Sequence, residues 1–182
     1  MTARGVISFA GLQLGWFACV LGAAHGYPWL GPVVVFVALA MHVERQRASA
    51  REVLILAFTA IVGFLVDSAF LQTGVLRLAG STLSPPWLIA LWPNFISTTS
   101  ENGLLSSLPR RPLLAGLLGA VGGPLAYDSG ARLGAIELGS HRLSALAIIG
   151  VVWALAVPAL VVVRARVVTR FAHTSECRPL ER

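Results

Sequence analysis

Asp67, in the stretch FLVDSAF, is the residue on which any chemistry would turn. It follows Thr59 and Gly63 by eight and four positions, so the three share one face of a helix. A charged side chain at the centre of a bilayer costs about 2.5–3.5 kcal/mol on insertion scales, so it normally faces the interior of a bundle. There Asp67 can relay a proton or contact a headgroup, with Arg132 or Arg77 as the cation beside it. The alternative is a carboxylate close enough to the interface to be solvated.

A second polar set lies in WPNFISTTSEN. Asn94, Ser97, Thr98 and Glu101 recur at i, i+3, i+4 and i+7, which draws one stripe along an otherwise apolar helix. Within a span such a stripe lines water, a ligand or another polar face. Interhelical hydrogen bonding alone would also account for it, with Glu101 simply reaching water. Pro93 loosens the backbone just before it.

The third set is an acid and a base four positions apart, Asp128 and Arg132, in LLGAVGGPLAYDSGARLGA. They can pair on one helical surface, either as the interfacial ion pair that ends a span or as a gate or headgroup contact. His25 is expected at the same depth as Asp67, Asp128 and Arg132. With Asn94, Thr98 and Glu101, these four make up the candidate polar site. His25, His42 and His141 are not spaced as metal ligands, so no metal and no cofactor is expected. No phosphate loop, nucleophile elbow, zinc-protease motif or dinucleotide fingerprint is present, and whether the chain is an enzyme stays open.

The elements that must position these groups are membrane helices. Of 182 residues 56% are hydrophobic and only 12% charged, about half of the charge that a soluble domain carries. A chain this short cannot hide so much apolar surface in one core, and a bilayer covers the rest. Six segments read as spans: about 6–24, 29–43, 53–73, 87–105, 113–127 and 143–163. The second is short and the fourth unusually polar. The first also resembles a signal peptide cleaved after Ala24, in which case five spans remain. The reading is therefore an all-α transmembrane bundle over residues 1–171, followed by a short disordered cytoplasmic tail over 172–182.

Fourteen arginines and no lysine make up the positive charge. With both termini in the cytoplasm, eleven of them fall on the cytoplasmic side and only Arg77, Arg132 and Arg142 on the other, as the positive-inside rule requires. That distribution speaks for the inner membrane of a bacterium and against nucleic acid as a partner. Tyr27, Trp29, Trp87 and Tyr127 fall at the depth of an aromatic belt. Cys19 lies in the first apolar block and Cys177 in the tail, so a disulfide is not expected.

Gly119, Gly123, Ala126, Gly130 and Gly134 fall within about 80° of one another on a helix wheel. Small residues on one face let a neighbouring helix approach closely, so the strip is expected to be a packing seam within the bundle. A homodimer seam or a backbone opening beside a substrate is the sharper alternative. Pro124 is expected to kink or break this helix.

The region from Pro86 to Ile136 resembles a family of small polytopic bacterial membrane proteins catalogued only as a domain of unknown function. The likeness rests on Trp87, Leu91, Trp92 and Phe95, and on the run Gly122 to Tyr127 with Gly130 and Arg132 to Gly134. After Phe95 the chain departs from the pattern: relatives tend to read threonine, leucine, asparagine, histidine, serine where Thr98, Thr99, Ser100, Glu101 and Asn102 stand here. If that histidine serves catalysis or proton transfer in relatives, Glu101 takes its role or the activity is lost. The resemblance brings no activity with it, but it implies a setting of lipid modification such as cyclopropane-type fatty acid synthesis. The expected function is binding or processing of a lipid or other apolar molecule, with membrane lipid as partner. An accessory or scaffold subunit, or a small transporter, is the alternative, and a homodimer or a membrane-protein partner is a further possibility.

Overall fold

The computed structural model describes residues 3–46, 49–100 and 103–176. Six α-helices occur in the places of the six apolar segments: α1 (Ala3–Ala24), α2 (Leu30–Gln46), α3 (Ser49–Gln72), α4 (Pro86–Ser97), α5 (Pro112–Arg132) and α6 (Arg142–Glu176). The chain is an all-α bundle. The only strands among the described residues are β1 (Leu76–Arg77) and β2 (Glu137–Leu138), a two-stranded antiparallel ribbon with Leu76 opposite Leu138. It ties the loop after α3 to the loop before α6.

Three helices, over Gly5–Ala24, Ala50–Gln72 and Arg142–Val168, are long and apolar enough to cross a membrane. Their outward side chains are apolar: Leu14, Ile61, Leu65, Val151 and Leu155 are all more than half exposed. Such a surface needs lipid around it, and the protein is an integral membrane protein. The other three helices are shorter or less apolar, as expected for the second and fourth segments. α2 has 17 residues and α4 only 12, against about 20 for a full crossing. α5 has 21, but its glycines, proline, Asp128 and Arg132 dilute its apolar character.

α4 is the central element. It packs against α1, α2 and α3, while α5 lies along α6 and α1 pairs with α2. Its first turn belongs to the core cluster around Leu76, Trp87, Tyr127 and Ile136, and its last turn to the cluster around Ile55, Ile96, Leu108 and Leu160. At 1.5 Å per residue α4 covers about 18 Å, and turns and a short 3-10 helix (Leu108–Arg110) complete the passage to α5. Non-helical backbone at that depth is tolerated only inside protein. Accordingly Thr98, Thr99, Ser100 and Leu108 are buried, and Leu105 N–H donates to the Thr98 carbonyl at 2.9 Å.

Three expectations change here. Tyr27 and Trp29 are exposed as belt residues should be, but Trp87 and Tyr127 are buried, because α4 and the inner face of α5 are enclosed by other helices. Gly134 is not on α5; it follows the helix end with φ +83°, a left-handed turn that favours glycine. Finally, the tail expected to be disordered from residue 172 continues α6 as far as Glu176. No proline or glycine follows Pro158 until Pro179, so nothing local stops the helix there. Cys177 and the rest of the tail lie outside the described residues.

Candidate functional site

Asp67 is fully buried, and α3 presents it next to a glycine for a reason. A Cβ on Gly63 would come within 2.3 Å of the Trp92 ring, so only glycine lets that indole lie flat on α3. One turn further on, Trp92 Nε1–H reaches Asp67 Oδ2 at 2.8 Å. The Tyr127 hydroxyl donates to Oδ1. Trp92 stacks on Trp153 of α6 with centroids 4.6 Å apart, and Phe95 and Tyr127 meet Trp153 edge-on at 5.9 and 6.1 Å. One carboxylate thus joins α3, α4 and α5 beneath a cluster of rings.

Among the described residues no arginine pairs with Asp67. Arg132 lies about 140° around α5 from Tyr127, and its Nε donates instead to Asp128 Oδ2 at 2.8 Å. Arg142 donates to the other Asp128 oxygen. The hydrogen bond from Arg132 above all, with that from Arg142, holds the Asp128 carboxyl below the usual carboxylate range. This group is an exposed clasp between the end of α5 and the start of α6. His25 Nδ1 lies 2.9 Å from the Leu21 carbonyl, which it caps at the end of α1. The four groups expected together at one depth therefore separate into a buried core tie, a surface clasp and a helix cap.

The polar stripe also resolves into ties. Asn94 is buried, and its Nδ2 donates to the Leu12 carbonyl of α1 at 3.1 Å. Gly15 makes room for it, since a Cβ there would sit 2.5 Å from that nitrogen. Ser97, Thr98 and Thr99 hydroxyls donate to the carbonyls three residues back at 2.7, 2.6 and 2.7 Å. They satisfy acceptors that the end of a helix leaves open. α4 ends at Ser97, so Thr98 is its cap rather than part of a continuing stripe. Glu101 and Asn102 lie outside the described residues.

Two features were not foreseen from the sequence. The first is a buried cluster at the opposite end of the bundle from Asp128. Arg164 Nη2 lies 2.9 and 2.7 Å from the two Glu52 oxygens, and His42 Nε2 lies 2.8 Å from Oε1. Glu52 and Arg164 side chains are each 6% exposed. Arg164 had counted only toward topology, and the signal was Glu52 itself, an acid in the first turn of an apolar helix. The second feature is a cavity of about 560 Å³ between α1, α4 and α5, backed by Trp153 and Val157 of α6. Asn94, Trp92 and Tyr127 line it, and Asp67 stands behind the last two.

The glycine strip of α5 divides between these features. Cβ atoms on Gly119 and Gly123 would come within 2.2 Å of the Trp153 carbonyl oxygen and 2.5 Å of its ring. The seam is thus filled by α6 of the same chain. Gly119 and Gly123 also border the cavity, together with Ala126 and Gly130 of the strip and Gly122 beside it. Among the described residues no group of three His, Cys, Asp or Glu side chains could hold a metal ion.

Residues 5–159 match the model of a family described as a protein of unknown function, DUF2878. No curated protein and no solved structure matches the chain.

Proposed function

Since the chain belongs to the DUF2878 family, whose description names no activity, its own cavity is the guide, and we propose that it binds a lipid or other apolar molecule between α1 and α5. The supporting observation is a space of about 560 Å³ bordered by Gly122, where an added Cβ would meet nothing within 4 Å. Ligand pockets of this size are common, about 300–1,000 Å³, and are mainly apolar with a few placed polar groups. Asp67 acts here as a positioning residue, because it holds the Trp92 and Tyr127 rings that wall the space. The setting is the bacterial inner membrane with both termini cytoplasmic, a reading supported by the arginine distribution.

The test is purification of the native chain and of Gly122→Leu in lipid nanodiscs, followed by mass spectrometry of the retained lipids. The native chain retains a defined apolar species above the bulk composition, and the leucine variant, folded to the same helix content, loses it. Identical lipid profiles refute the reading. One observation favours a second reading, a small transporter: α4 is a half-length helix whose buried turns sit at the core of the bundle, as discontinuous helices do in transporters. Solute flux in proteoliposomes separates the two.

A further inference from the structure

The cavity carries placed polar groups as well as apolar walls, and we infer that its ligand is an apolar chain with a hydroxyl group partway along it, bound between Gln13 of α1 and Asn94 of α4. This rests on the binding reading above and deepens it.

Gln13 is the residue that asks for a partner. It stands halfway along the 22 residues of α1, about 15 Å from either end, too deep for its side chain to reach water at a membrane surface. It lines the cavity at the centre of a face that also presents Phe9, Trp16 and Val20, which lie at i−4, i+3 and i+7. Among the described residues its amide makes no hydrogen bond. A polar group in hydrocarbon without a partner forfeits the bonds that water would have given it. A wall meant only for an apolar surface would continue the leucines on either side, Leu12 and Leu14.

Asn94 stands beside it on the α4 wall. Its Nδ2 donates to the Leu12 carbonyl at 3.1 Å, which holds the side chain at the depth of Gln13. With the nitrogen occupied, Oδ1 is left as an acceptor, and among the described residues no donor reaches it. Asn94 is only 3% exposed and lines the cavity, so bulk water does not satisfy that oxygen. A hydroxyl both donates and accepts. Between these walls it would accept from the Gln13 amide and donate to Asn94 Oδ1, while Leu91, Leu105 and Leu118 cover the apolar chain around it. A carbonyl would serve Gln13 alone, and a plain hydrocarbon neither.

The experiment places the full chain in nanodiscs with equal amounts of methyl 12-hydroxystearate and methyl stearate, two esters that differ only in a mid-chain hydroxyl. Native mass spectrometry then counts the ester that each ejected protein retains. The native chain should favour the hydroxy ester about three- to tenfold, the ratio that one hydrogen bond supplies. Gln13→Leu removes no bond within the chain, so it should keep the native helix content, melt at least as high and hold both esters equally. Equal retention by the native chain, the result if water alone fills the polar spot, would overturn the inference while leaving apolar binding in place. A preference that survives in Gln13→Leu would do the same. Retention of neither ester also overturns it, and if the native chain keeps no lipid of its own, the binding reading falls with it.

Discussion

One added methyl group, placed at Gly119 or at Gly122, should have opposite effects although the two positions are one turn apart on α5. At Gly119 the new Cβ would lie 2.2 Å from the Trp153 carbonyl oxygen and 2.7 Å from its carbon. Both are backbone atoms of α6, so no rotamer change relieves the clash and the helices must separate. Overpacking of this kind costs about 1–3 kcal/mol, against about 1 kcal/mol regained when alanine replaces a helical glycine. A net loss of up to about 2 kcal/mol follows for Gly119→Ala. At Gly122 nothing lies within 4 Å, so Gly122→Ala keeps only the helix gain, about 0.5–1 kcal/mol. For a chain of this length each kcal/mol moves Tm by about 2–4 °C. The two variants differ by the overpacking cost and should therefore melt about 2–12 °C apart, with Gly122→Ala at or above the native chain. Near-ultraviolet circular dichroism on heating in one detergent measures it. If Gly119→Ala melts as high as Gly122→Ala, then α5 and α6 do not cross as closely as described, and the division of the glycine strip between seam and cavity fails.

Asp67→Ala strands the Trp92 and Tyr127 donors in the core, at about 1–3 kcal/mol each, while Asp67→Asn keeps an acceptor for one of them and loses about half as much. Titration with sodium dodecyl sulfate ranks the variants, and a native-like Asp67→Ala would show that the carboxylate holds nothing together. Arg164→Met leaves Glu52 buried without its cation and should cost about 3–5 kcal/mol, most of it recovered when Glu52→Leu is added; an additive double variant would mean the pair is not coupled. Leu113 and Leu143 are 85% and 83% exposed at the starts of α5 and α6. In a Cys177→Ser background, a membrane-impermeant maleimide applied to intact cells should label Leu143→Cys and not Leu113→Cys, and the reverse pattern would invert the proposed orientation.

The helices were legible in the sequence because their signal is summed over many residues. Six apolar blocks became six helices, and an error of a few residues at each end hardly matters. What the blocks could not convey was length in the folded state. The stretch from Trp87 to Leu105 reads as one span, yet α4 stops at Ser97, where three hydroxyls turn back onto their own backbone and end the ladder. The sites were harder for the same reason. Asp67 could be read as facing inward or as solvated near the interface; it is buried, and its partners were sought among arginines of similar depth. Its donors are an indole and a phenol, 25 and 60 positions away in sequence, and no spacing rule connects them. The only local hint was Gly63, one turn before Asp67, which marks where another group comes close. Gly119 and Gly123 stand i,i+4 on one helix, a spacing that fixes which face they offer, and that face lies against Trp153 of α6.

Three of the polar residues first suspected of chemistry also fasten the bundle, as does the unforeseen pair Glu52 and Arg164. Asn94 holds α4 to α1, Asp67 holds α4 to α3 and α5, Asp128 clasps α5 to α6, and Glu52 with Arg164 joins α3 to α6. Each satisfies a group that lipid could not. Together they also fix where the helices do not meet. α1 is bound to α2 and α4, and α5 is bound to α6, so the gap between α1 and α5 is set by ties on either side of it rather than by contact across it. A gap held open this way cannot collapse without breaking a buried hydrogen bond, at about 1–3 kcal/mol for each donor stranded. Hydrophobic attraction between helices cannot supply that energy, because lipid is as apolar as the side chains it replaces. The space therefore persists, and on the proposed reading an apolar molecule occupies it.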